Sequence, residues 1–114
     1  MERIIKIKKN YEFTRLYKKG KFFIGKHMIL YVLSNGLGNN RVGITTSKKI
    51  GNSVVRNRSR RLIMESYRLC EHPLKTGYDL VFVARKTSGD ISFLDIKREM
   101  FFLYKKLNLV EQEK

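Results

Sequence analysis

The sequence predicts a single α+β sandwich, a small central sheet with helices packed on it. Three observations carry that reading. The 114-residue chain suits one compact domain and is short for two. Helical and strand-like segments follow one another without a linker, repeat or low-complexity stretch. At 42% hydrophobic and 11% aromatic residues, the chain has enough apolar side chains to bury a core.

The elements follow in order. A first helix is expected over residues 11–19, with Asn10 as N-cap. Phe13, Leu16 and Tyr17 lie at helical spacing, and Gly20 suits a left-handed stop. Residues 26–33 are rich in strand formers, and 34–40, containing Asn35-Gly36 and Gly38-Asn39-Asn40, read as a turn. The run Arg41-Val42-Gly43-Ile44-Thr45-Thr46-Ser47 is then a second strand, expected to pair with the first as a hairpin. The longest helix is expected over 53–71, with Pro73 soon after its end. Residues 78–85 are almost entirely apolar, as in a strand buried on both faces. In a last helix over 92–108, Ile96, Met100, Leu103, Tyr104 and Leu107 repeat at three or four. The order is helix, two strands with room for a third, helix, strand, helix. The ends, 1–5 and 109–114, are expected to be loosely held.

Charge narrows the function. Twenty-five Lys and Arg against ten Asp and Glu leave a formal +15. Such an excess repels itself in a compact state and calls for a polyanionic partner, nucleic acid before membrane. The helical apolar faces are needed for the core and are not free for lipid. No apolar run is long enough to span a bilayer, and charges interrupt the N-terminal apolar stretch after two residues. Cys70 is the single cysteine, which excludes an internal disulfide and fits a reducing cytoplasm.

The basic signal concentrates in Lys48-Lys49-Ile50-Gly51-Asn52-Ser53-Val54-Val55-Arg56-Asn57-Arg58-Ser59-Arg60-Arg61. On a helical wheel Val55, Ser59, Leu62, Ile63, Ser66 and Cys70 share the arc that faces the sheet. Arg56, Asn57, Arg60, Arg61 and Arg68 share the opposite arc, with Arg58 at its edge. A solvated face ordinarily mixes signs, yet no acid occurs between Lys48 and Met64. A rigid arginine ridge meets phosphate in bidentate fashion and loses little side-chain entropy on docking. On the residues alone Phe13, Tyr17 and Tyr31 read as core, as do Phe82, Phe101, Phe102 and Tyr104.

The two runs in succession, from Arg41 to Arg61 and centred on Arg56-Asn57-Arg58, resemble the hallmark of bacterial ribonuclease P proteins. Lys8-Lys9-Asn10-Tyr11-Glu12-Phe13, Leu16-Tyr17 and Gly20 resemble that family's first helix, and Ala84-Arg85-Lys86 its basic strand end. The likeness covers about residues 6–105. It implies a mixed sheet with a left-handed β-α-β crossover, an exception to the usual hand. It also implies the accessory subunit of a ribonucleoprotein endoribonuclease, one protein per catalytic RNA, removing the 5′ leader of precursor tRNA. Carried over, Lys49, Asn52, Arg56, Asn57, Arg58, Arg60 and Arg61 would meet the catalytic RNA. Phe13, Tyr17, Tyr31, Thr46, Lys48, Arg85 and Lys86 would meet the single-stranded leader. Tyr17 stands where phenylalanine is common and Ser53 where alanine is common; neither change removes a ring or a charge.

No catalytic residue and no metal ligand set is expected in the chain itself. His27 and His72 lie apart in sequence, and Glu12, Glu65, Glu71, Asp79, Asp90, Asp95 and Glu99 are scattered. His72 suits a helix C-terminus. The resemblance places hydrolysis, with its magnesium, on the RNA. Two other classes share the charge: a ribosomal or general RNA-binding protein, and a DNA-binding repressor. The repressor would want two closely spaced helices, whereas here strands flank the long one.

Overall fold

The structure, a computed structural model, describes residues 4–87 and 91–111. Its elements are β1 (Ile5–Lys6), α1 (Asn10–Lys19), β2 (Lys21–Ile24), β3 (Met28–Ser34), β4 (Arg41–Thr45), a 3-10 turn (Lys48–Ile50), α2 (Ser53–Arg68), β5 (Tyr78–Ala84) and α3 (Phe93–Lys106). The predicted class holds, a mixed sheet with three helices, and β2 occupies the place left open for a third strand. The two-residue β1 had no readable signal.

The five strands lie in the order β1-β4-β5-β3-β2. β5 is the central strand, parallel to β4 and antiparallel to β3. Its Leu80, Val81 and Phe82 are fully buried, because helices cover both faces of the sheet. On one face α2 and α3 enclose Met28, Leu30, Val32, Val42, Ile63, Leu80, Phe82, Met100 and Leu103. On the other, α1 closes a smaller cluster of Ile7, Leu16 and Val81, with Phe13, Tyr31, Leu33 and Val83 against it.

The expected hairpin of the second and third long segments does not form. β3 and β4 are separated by β5, and β3 makes its hairpin with β2 instead. The apolar β5 gains most by taking the centre, so residues 34–40 must stride across its start. Asparagines hold that crossing. The Asn35 amide N–H donates to Gly77 O at 2.9 Å, Tyr78 N–H donates to Asn40 Oδ1 at 2.9 Å, and Asn40 Nδ2 donates to Lys75 O at 2.9 Å.

Local corrections have local causes. Gly20 is extended (φ −74°, ψ 154°) and not left-handed; glycine is required because a Cβ there would meet Leu16 O at 2.6 Å and Val32 O at 2.8 Å. α1 begins at Asn10 with Lys9 at the cap position and no side-chain cap. α2 ends at Arg68, three residues early, whereas the Ser92 cap of α3 is present, its Oγ accepting from Asp95 N–H at 3.1 Å. Val55 is exposed although its helical arc was expected to face inward, and Phe102 is exposed although expected in the core. Of the ends expected to be loose, Leu109 is buried, and Lys75 and Glu111 N–H groups donate to Leu109 O and Pro73 O. Residues 1–3 and 112–114 of those ends, and Asp90, lie outside the described residues.

Gly20→Ala should destabilise the fold by about 1–3 kcal/mol, because both atoms it would strike are backbone carbonyl oxygens. Urea unfolding checks this: a lower midpoint at unchanged slope is expected.

Candidate nucleic-acid interface

The sheet face beneath α1 is built in rows, since directly paired residues point the same way. One row runs Phe22, Tyr31, Val81, Gly43 across β2, β3, β5 and β4. The next runs Ile24, Ile29, Val83, Thr45. A third, at the far end, holds Leu33, Asp79 and Arg41.

α1 is seated on these rows by two fits. At the far end, Arg41 links strand and helix. Its Nε and Nη2 donate to Asp79 Oδ1 and Oδ2 at 2.8 and 2.7 Å, and Nη2 also lies 2.7 Å from Glu12 Oε2. Burial works against the Asp79 charge, but hydrogen bonds from Arg41 and from Asn35 Nδ2 outweigh it and hold the carboxyl below its usual range. The same bonds, the one to Asp79 foremost, raise the Arg41 pKa further. Further along, the Phe13 ring lies directly over Gly43, where a Cβ would come within 2.7 Å of the ring.

Beyond Phe13 the helix stays on the sheet through the buried Leu16, and the Tyr17 side of it borders an exposed aromatic strip, the candidate cleft. Tyr17 packs edge-on against Tyr31 with centroids 5.0 Å apart, and its hydroxyl shares a 3.0 Å hydrogen bond with Thr45 Oγ1. Tyr17 remains 41% exposed. The three predicted aromatics, Phe13, Tyr17 and Tyr31, are thus brought together, Phe13 as the helix seat, Tyr17 as an exposed wall and Tyr31 as a partly buried floor. Sequence reasoning missed Phe22 and Ile24, which continue the floor onto β2. Their alternation at 22 and 24 was the available signal, masked by the apolar Phe23 between them.

The basic residues fall into two connected groups. Lys48 and Lys49 are exposed on the 3-10 turn, and Gly51 (φ 146°) redirects the chain into α2. Asn52 caps that helix, its Oδ1 accepting from Val55 N–H at 3.0 Å. Asn57, Arg58, Arg60 and Arg61 are exposed on α2 and Arg56 is half-buried. Among the described residues none of these arginines pairs with a carboxylate. Arg58 Nη2 donates to Ile91 O at 3.0 Å and Arg60 Nη2 to Thr46 Oγ1 at 2.8 Å. The Arg60–Thr46 bond joins the ridge to the segment that leaves β4 next to Thr45. Arg85, whose Nη1 donates to Gly25 O at 2.6 Å, and Lys86 are exposed beyond the end of β5.

The histidines make separate contacts. His27 Nδ1 lies 3.0 Å from Glu99 Oε1, and His72 stacks on Phe101 at 4.1 Å. Among the described residues no three His, Cys, Asp or Glu gather in a metal-binding group, and no helix is long and apolar enough to cross a membrane.

Fold and surface together define a class: a small basic α+β protein of the nucleic-acid-binding kind. The ribonuclease P family matches residues 1–108. The ribonuclease P protein component of Alkaliphilus oremlandii is 47% identical over 110 residues, spanning 96% of each chain. That of Thermoanaerobacter sp. is 49% identical over 98 residues, 86% of this chain and 84% of its own. The solved RNase P protein of Staphylococcus aureus superposes with a TM-score of 0.83 at 30% identity, over 96% of this chain and 100% of that one. The chain belongs to the ribonuclease P protein family, the protein components of a tRNA-processing endoribonuclease.

Asp79, its pKa lowered on folding, stabilises the native state above the ordinary carboxylate value near 3.9. That contribution is lost as pH falls through its lower folded value. Asp79→Asn should therefore be less stable at neutral pH by about 1.5–3 kcal/mol. It should also show a shallower loss of stability below about pH 4, as pH-dependent urea unfolding would record.

Proposed function

We propose that this chain grips the catalytic RNA of ribonuclease P with its α2 ridge and receives the single-stranded 5′ leader of precursor tRNA in the cleft under α1. The observation that carries this is the exposed Tyr17 ring set against the partly buried Tyr31, beside a ridge free of acids. Aromatic faces left half-exposed suit bases of any identity, as a subunit handling every precursor tRNA requires.

In this reading Lys49, Asn52, Arg56, Asn57, Arg58, Arg60 and Arg61 face the catalytic RNA. The Asn52 Oδ1 is spent on the helix cap, so its Nδ2 is the group left for RNA. Tyr17 and Tyr31 hold leader bases, Phe13 sets the helix that carries Tyr17 over them, and Thr46, Lys48, Arg85 and Lys86 meet the leader backbone. Residues here carry no proton in the reaction; hydrolysis runs on the RNA with magnesium held there. The protein's share is binding energy, directed through the leader to position the scissile phosphate. One protein would serve each RNA, in the cytoplasm, where Cys70 stays reduced.

The test is precursor-tRNA cleavage at low magnesium by a bacterial ribonuclease P RNA, with and without the protein. The protein should stimulate cleavage, more so for substrates with a leader of several nucleotides. Phe13→Ala combined with Tyr17→Ala should cut affinity for such substrates by about tenfold or more. Binding of the RNA without any change in turnover or substrate affinity would instead indicate a general RNA-binding protein. Separately, Arg56→Ala combined with Arg61→Ala should weaken RNA binding and flatten its dependence on log salt by about 2, measured by filter binding across a salt series.

A further inference from the structure

β2 is an edge strand that carries two large apolar side chains on the cleft face. Phe22 and Ile24 are each 53% exposed. Edge strands are ordinarily protected by charge or short length, because exposed apolar edges invite pairing with other chains. Single exposed apolar residues need no explanation. Here, however, two lie at i and i+2, continuous with Tyr31 and Ile29 in the rows of the sheet.

Phe22 is also part of a chain of rings. Its ring lies 5.3 Å from that of Tyr31, tilted by 33°, and Tyr31 lies 5.0 Å from Tyr17. Helix α1 roofs the Gly43 end of the row through Phe13 and leaves the Phe22 end bare. A strand that lies along Tyr17 and Tyr31 must next cross β2, and Phe22 is the face it meets.

The platform is held in place despite being at the edge. The Glu99 carboxylate of α3 accepts from the backbone N–H groups of His27 and Met28, at 2.9 to 3.0 Å, and contacts His27 Nδ1. Gly25 gives it room: a Cβ there would fall 2.7 Å from Glu99 Oε2. Arg85 ties the same turn to the end of β5 through Gly25 O. The β2–β3 hairpin is thus clamped from the opposite face of the sheet, with a guanidinium at its turn. Behind β2, Phe23 packs edge-on against Phe102 at 5.8 Å.

We infer that Phe22 is a further base platform, stacking one leader nucleotide as the strand leaves the cleft over β2, with Ile24 as apolar floor beside it. This rests on the leader reading above. It extends the single-strand site past Tyr31 to the edge of the sheet.

The experiment uses the protein assembled with a bacterial ribonuclease P RNA and precursor tRNAs whose leaders lengthen one nucleotide at a time. Substrate affinity is measured for each, with 2-aminopurine placed successively along the leader as a stacking probe. Phe22→Ala should erase the affinity gained from one outer nucleotide, about fivefold or more, and leave the gains from inner nucleotides. Phe22→Leu, apolar but without a ring, should show the same loss, while Phe22→Trp should retain the gain and the quenching of the outer 2-aminopurine. That pair decides the matter even if the alanine variant folds poorly. Every increment persisting in Phe22→Leu would overturn the inference. If Tyr17→Ala also leaves the whole series unchanged, the leader reading itself has failed; if Tyr17→Ala matters and Phe22→Leu does not, only the platform has.

Discussion

The arrangement depends on Arg41. A single guanidinium holds Asp79 on β5 and Glu12 on α1, so it sets where the helix lands on the sheet. Removing Arg41 would strand two carboxylates in a place with little water, which is costlier than the pairing is stabilising. The bond is therefore more a device for position than for stability. It fixes the helix at one end of the rows, Phe13, the residue after Glu12, fixes it again over Gly43, and the buried Leu16 carries the contact onward with Tyr17 at the open margin. The cleft is what is left between a pinned helix and a flat row of side chains.

The second face of the sheet does the opposite work. There α2 and α3 bury a continuous apolar cluster, and that burial holds the arginine ridge still without using any acid to do so. Twenty-five cations on 114 residues repel one another, and among the described residues few ion pairs offset them. The fold tolerates this because its core is apolar on both sides of β5. The Arg60–Thr46 hydrogen bond ties the ridge to the residue after Thr45, which itself bonds Tyr17, so two RNA segments held by ridge and cleft would be held in fixed relation.

Much of this was legible in the residues. The apolar run of β5 announced a central strand, the acid-free stretch after Lys48 a binding ridge, and the long motif from Arg41 to Arg61 the family. Strand neighbours were not legible. An Asn-Gly turn between two strand-like runs reads as a hairpin, and Gly36 does adopt a positive φ of 70°. Yet pairing is decided by which strand gains most from the centre, a comparison across the whole chain. β2 was hidden because it is apolar on both faces, Phe22 toward the cleft and Phe23 toward Phe102, which erases the alternation that marks a strand. The aromatics were ambiguous for a related reason: periodicity shows that Phe13 and Tyr17 face the sheet, whereas what each meets there, Gly43 for Phe13 and the edge of Tyr31 for Tyr17, decides that one is partly buried and the other exposed.

The central position of β5 has a further consequence during synthesis. Both neighbours of that strand, β3 and β4, leave the ribosome well before it does, and neither has a pairing partner on its inner edge until residue 84 has emerged. No stable half-domain is available, so the nascent chain carries its apolar strands and its cationic ridge unfolded until at least about three-quarters of it has been made. Growth beside ribosomal RNA, a polyanion, sets such a chain in a competition between its own late closure and premature adhesion to the machine that makes it.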